Sequence, residues 1–216
     1  MYTLLLLLIY LAFISLGLPD SLLGSAWPVM HKAFQVPLSY AGLVTMIISG
    51  GTICSSLMSE RLTKKFGTQI VTVFSVMLTA IALFGFSTAS AFWMLCLWAI
   101  PYGLGAGAID AALNNYVALH YNSRHMSWLH CFWGLGTIIS PYVMSYALTT
   151  SVWQNGYRMV SFIQIGIALI LFVTLPIWKV NKKETAQEEK AEEEMVGIKG
   201  ALKIKGVPNL LLGFFS

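Results

Sequence analysis

Residues 101–117, PYGLGAGAIDAALNNYV, set a single carboxylate, Asp110, in the middle of a long apolar run. Asn114 follows one helical turn later, so the acid and an amide share a helix face, with Asn115 beside them. A charge left unpaired in hydrocarbon costs at least roughly 2.5–3.5 kcal/mol on insertion scales, which makes an intramembrane carboxylate a functional candidate by default. Whether the surroundings are hydrocarbon is decided by the rest of the chain.

Of the 216 residues, 57% are hydrophobic and 10% charged, and the mean hydropathy is +0.73. That is too apolar for a soluble domain and describes an integral membrane protein embedded in a lipid bilayer. The net charge of +4 comes from a few basic residues lying between apolar segments. There they set topology, and nucleic-acid binding is excluded. Cys54, Cys96 and Cys131 lie inside apolar stretches without CxxC spacing, so neither a disulfide framework nor a metal site is indicated. The run from Leu4 to Leu18 lacks a basic n-region and a cleavage site and reads as a first spanning helix.

Six stretches are long enough to cross a bilayer, over residues 3–30, 39–60, 68–88, 91–118, 126–149 and 157–178. They form an all-α bundle, a transmembrane unit over 1–178. Residues 179–207, rich in Lys and Glu, read as a charged solvated linker, and 208–216 as the start of a seventh helix. The chain is therefore expected to be half of something longer. Eleven of the basic residues follow the second, fourth and sixth spans, whereas only Lys32 and Arg158 fall on the other side. This bias places the N-terminus and the linker in the cytoplasm.

Asp20 and Asp110 lie 90 positions apart, and the same offset carries the second and third spans close to the fifth and sixth. With three spans per unit, the second copy enters from the opposite side, an inverted-topology repeat of the kind found in secondary transporters.

Asp20 sits in GLPDSLLGSAWP, residues 17–28, where Pro19 and Pro28 remove backbone donors and Gly17 and Gly24 loosen the helix. Withdrawal from water favours the neutral form of a carboxyl group, so Asp20 and Asp110 are candidate proton carriers. The structural alternative is that each only hydrogen-bonds a neighbouring helix. Asn114, Asn115 and Gln164 offer amides suited to a hydroxyl-rich solute, although amides also glue helices together. In SWLHCFWGLGTIISP, residues 127–141, His130 is a candidate proton relay or ligand contact. Trp27, Trp128 and Trp133 read as stacking surfaces for a sugar ring or as belt anchors, and Trp93 and Trp153 as belt anchors. His120 and His125 read as solvated, and His31 as an external loop residue. GLGAGA lets backbones approach closely and is no nucleotide loop, because no strand precedes it and no Walker lysine follows. No nucleophile with its base and no metal-ligand set is present, so an enzyme, a cofactor and a metal are not expected.

Together with the inverted spacing, the stretch Ser56-LMS-Glu60-Arg61-Leu62-Thr63-Lys64-Lys65 resembles the major facilitator superfamily pattern G-x-x-x-D-R-x-G-R-[RK]. The acid and the basic positions fit, while Ser56 and Thr63 replace the glycines. The resemblance implies the N-terminal half of a twelve-helix transporter and a cytoplasmic gate of Glu60, Arg61, Lys64 and Lys65 closing against the other half. Two further superfamily patterns match poorly: one places Pro101 where an arginine is expected, and the antiporter pattern survives only as Gly136-TII-Ser140-Pro141. The acids in the first and fourth spans and LHCFWGLGTIISP look most like the fucose permease-like branch. That likeness implies proton-coupled symport of a small polar solute, such as a sugar, across a bacterial plasma membrane. Asp20 and Asp110 would couple protons, and Asp20, Trp27, Asp110, Asn114, Asn115, His130, Trp133 and Gln164 would contact the solute. The alternatives are an exporter of amphipathic compounds, or a half-size membrane protein that transports only with a second copy or not at all.

Overall fold

The computed structural model describes residues 2–176 and Trp178, and every regular element in it is helical. In chain order the elements are α1 (Tyr2–Gly17), α2 (Leu22–Ala33), a 3-10 turn (Leu38–Tyr40), α3 (Ala41–Phe66), α4 (Thr68–Thr88), α5 (Phe92–His120), α6 (Ser123–Thr150) and α7 (Trp153–Val173). Six spans result, the first made of α1 and α2 together. The expected linker and seventh helix lie outside the described residues.

Several boundaries differ from the sequence reading: the fifth span starts at Ser123 in place of 126, the sixth runs Trp153–Val173 in place of 157–178, and the first two depart for identifiable reasons. The first span breaks over Leu18–Ser21, because Pro19 cannot donate to the helical ladder and disfavours helical geometry at the residue before it. The second span runs on to Phe66, so Glu60, Arg61, Lys64 and Lys65 form its last two turns and not a loop. Lys64 and Lys65 there complement the negative helix end. Gly67, at φ +86°, ends the helix in a conformation glycine adopts freely, its N–H donating to the Thr63 carbonyl at 2.8 Å.

Glycines set the crossings. The Cβ positions of Gly103 and Gly107 on α5 are filled by the carbonyls of Ile48 and Thr52 on α3. At this contact α3 donates to α5 carbonyls through Thr52 to Gly103 at 3.3 Å, Ser56 to Gly107 at 3.2 Å and Ser59 to Ala108 at 3.5 Å. The GLGAGA run thus packs as the small-residue logic requires, and Ser56, which replaces a motif glycine, acts as polar glue. On the other side α1 crosses α6 where Gly17 abuts the Trp133 carbonyl and Gly136 abuts the Ile14 carbonyl. Gly17 and Gly107 keep the 90-position interval of Asp20 and Asp110. Exchanging the first three spans with the last three carries the α1–α6 crossing onto α5–α3, as an inverted repeat demands.

Between the spans lies a core that includes Leu22, Met30, Leu83, Phe86, Leu95, Met144 and Tyr157. Trp153, expected at a headgroup belt, is buried here against Phe34 and Tyr157. Trp93 is 65% exposed, as a belt residue should be.

Candidate functional site

The break in the first span turns Asp20 out of the helical ladder and leaves it exposed. Its two carboxylate oxygens are each held by a different helix. Tyr102 Oη on α5 donates to Oδ1 at 3.1 Å, and Trp133 Nε1 on α6 donates to Oδ2 at 2.8 Å. Tyr102 is 4% exposed and Trp133 38%, so one donor is fixed in the core while the other stands at the open face. Hydrogen bonds to a charged acceptor are worth roughly 1.5–3 kcal/mol each. Three spans therefore meet at this one carboxylate.

Asp110 is half-buried on the unbroken α5, where Asn114 Nδ2 donates to its Oδ1 at 2.9 Å, the turn-to-turn pairing the sequence led one to expect. His130, exposed on α6, lies within electrostatic range of Asp110, and Asp110 within range of Asp20. The structure thus gathers Asp20, Asp110, Asn114, His130 and Trp133 around the meeting of the first, fourth and fifth spans. Phe13 on α1 presents its ring edge-on to His130, with centroids 6.3 Å apart.

Three expected contacts stand apart from this group. Trp27 is 4% exposed, and its Nε1 is committed to the Leu38 carbonyl at 2.7 Å. Its ring packs edge-on to Phe92, so it closes the core instead of offering a stacking face. Gln164 is 1% exposed, with Nε2 donating to the Ser15 carbonyl at 2.6 Å, a bond between α7 and α1 with no face open to a solute. Asn115 is exposed but shares its stripe with Leu97 and Leu104, turned about 140° from Asp110 at 3.6 residues per turn.

Tyr102 escaped the sequence reading, although it sits in the opening stretch. The signal was available, because a tyrosine hydroxyl buried among apolar residues needs a partner. His125, expected to be solvated, instead accepts or donates at Nδ1 with Tyr10 Oη at 2.9 Å, joining α6 to α1. His120 stacks on Tyr116 with centroids 4.2 Å apart. These two histidines border a cleft of about 340 Å³ at the α5–α6 corner with Leu119, Tyr121 and Asn122, and His120 lies about 15 Å along α5 from Asp110 at 1.5 Å per residue.

At the end of α3, Lys64 Nζ and Glu60 Oε1 form an ion pair at 2.8 Å, with side chains 64% and 59% exposed. Lys65 Nζ lies 5.2 Å from the Phe66 ring centroid, and Arg61 is exposed. Among the described residues no cluster of three or more His, Cys, Asp or Glu is placed to hold a metal ion.

Fold and site together define a polytopic helical membrane protein whose polar groups converge within its spans. Residues 9–216 match the Major Facilitator Superfamily, a family of membrane transporters, and the chain belongs to it. It is 23% identical over 163 residues to "Bypass of stop codon protein 6" of Saccharomyces cerevisiae, covering 74% of this chain and 33% of that protein. It is 22% identical over 182 residues to "Glucose/mannose transporter GlcP" of Bacillus subtilis, covering 82% of this chain and 44% of that protein. The chain thus spans less than half the length of either relative.

Proposed function

We propose that the chain forms half of a proton-coupled symporter that carries a small polar solute, a sugar, by alternating access. The observation that carries this reading is the Asp20 carboxylate, exposed at a helix break and held by donors from two other spans, Tyr102 at 3.1 Å and Trp133 at 2.8 Å. Protonation of Asp20 would weaken both donors' hold and free the indole and the acid for solute hydroxyls. Asp110 with Asn114 forms the second proton-coupling position, with His130 of α6 within electrostatic range of it. The likeness to the glucose/mannose transporter of Bacillus subtilis supports a hexose as the solute class. Glu60, Arg61, Lys64 and Lys65 then act as the cytoplasmic gate against a second six-span half, in a bacterial plasma membrane with the N-terminus inside.

The test uses the whole transporter in proteoliposomes with an imposed proton gradient and labelled hexoses. Asp110→Asn should abolish proton-driven accumulation while leaving counterflow exchange of the same sugar. Uphill accumulation by that variant would overturn the coupling assignment, and, for the unsubstituted transporter under opposed proton gradients, movement of an amphipathic dye against the proton flow with no hexose accumulation would favour the exporter of amphipathic compounds.

A further inference from the structure

We infer that Gln164 is the pin of the break in the first span: its side-chain nitrogen replaces the backbone N–H that Pro19 does not have. In an α-helix each carbonyl accepts from the N–H four residues on. The last rung of α1 runs from Leu18 N–H to the Ile14 carbonyl at 3.0 Å. The next would run from residue 19 to the Ser15 carbonyl, but residue 19 is proline and has no proton to donate. Ser15 is fully buried, so its carbonyl would be left unpaired, a loss comparable to a broken hydrogen bond. Gln164 Nε2 reaches it from α7 at 2.6 Å.

Chemistry fixes which end of the amide faces Ser15, because a carbonyl accepts only from the nitrogen. The other end shows what the burial is for. Gln164 Oε1 and Ser15 Oγ are buried without a hydrogen-bond partner among the described residues. An amide with one end unsatisfied in the core is held there for the bond its nitrogen makes. Beyond the pinned carbonyl the chain turns tightly, with Asp20 N–H donating to Gly17 at 3.3 Å and Leu22 N–H to Pro19 at 3.1 Å. The pin therefore secures the last turn of α1 directly ahead of the carboxylate. A second side chain of α7 gives the contrast. Ser161 Oγ donates to the Ala80 carbonyl at 2.8 Å, but Ala80 lies inside α4 with Phe84 four residues on, so that carbonyl has a ladder partner already.

The experiment is a double-mutant cycle on the full chain in detergent, read by apparent melting midpoint and by hydrogen exchange over residues 14–24. Gln164→Leu should lower the midpoint by about 5 °C and speed exchange around the break. In a Pro19→Ala background, where the missing N–H is restored, the same substitution should shift the midpoint by less than about 2 °C. Ser161→Ala should show the same shift in both backgrounds. A Pro19→Leu background restores the same N–H and replaces Pro19→Ala if that variant yields too little folded protein. An equal Gln164→Leu shift in both backgrounds, or none in either, would overturn the inference.

Discussion

The crossing of α3 and α5 is the contact on which the fold depends most visibly, and Gly107→Ala tests it. A Cβ at residue 107 would occupy the space of the Thr52 carbonyl oxygen and come within 2.7 Å of the Thr52 Cα, a backbone atom that no rotamer change can move. The helices must then part. Overpacking a tight contact costs typically about 1–3 kcal/mol. An independent figure comes from the bonds that parting breaks, those from Thr52, Ser56 and Ser59 to α5 carbonyls. At about 0.6 kcal/mol for an interhelical hydrogen bond in a membrane protein, the three together are worth about 2 kcal/mol. Both routes place the loss near 2 kcal/mol, or a fall of about 4–8 °C in melting midpoint for a chain of this size. The control is Gly166→Ala on α7, where nothing lies within 4 Å of the added carbon. There the better helix propensity of alanine, up to about 1 kcal/mol, should leave stability equal or raised. Both variants are measured side by side in detergent by the thermal unfolding of intrinsic fluorescence. If Gly107→Ala melts no lower than Gly166→Ala, close approach of α3 and α5 is not what these glycines provide.

Two further outcomes follow from the site. Tyr102→Phe removes the donor to Asp20 Oδ1 without removing the ring that packs against Phe86. Under the proposed transport reading it should lower sugar uptake in proteoliposomes about tenfold or more, since a bond to a carboxylate exceeds the 1.4 kcal/mol of one decade, and the same lost bond should lower the melting midpoint by about 3–6 °C; uptake unchanged in the folded variant would count against a role for this bond in transport. Glu60→Gln breaks an ion pair whose side chains are 59–64% exposed. Its effect on stability should stay below about 0.5 kcal/mol, so a change in uptake rate with an unmoved midpoint would report a gate, and a moved midpoint with unchanged uptake would count against one.

Much of the bundle was legible because a membrane span is a compositional signal: twenty apolar residues leave few other readings. The third span matched to the residue, and Asp110 with Asn114 paired as helical spacing requires. The failures share a cause. For Trp27 and Gln164 the residue type says what the side chain can bind, but burial is decided by which face of the helix meets which neighbour, and no periodicity within one helix reports that. The low amphipathicity of spans sharpens the problem, since apolar residues face lipid and core alike. The extent of α3 is hidden in the sequence for another reason. Charged residues end an apolar run, but they do not end a helix, and Gly67 was the better stop signal.

The two repeat-related carboxylates are not equivalent, and the backbone explains why. Asp110 lies on a continuous helix, and its partner Asn114 is on that same helix, so the pair moves as one body whatever its neighbours do. Asp20 lies in a break, and its partners belong to α5 and α6. Any displacement of α6 relative to the first span changes the Trp133 bond to Asp20 and leaves the Asp110–Asn114 bond intact. Under the proposed transport reading, Asp20 is therefore the carboxylate whose hydrogen bonds change with the arrangement of the spans, whereas Asp110 keeps its hydrogen-bond partner and feels α6 only through its electrostatic interaction with His130. The asymmetry traces to one residue. Pro19 breaks the first span just ahead of Asp20, whereas its counterpart 90 positions on, Ile109, has an N–H to continue the ladder through α5.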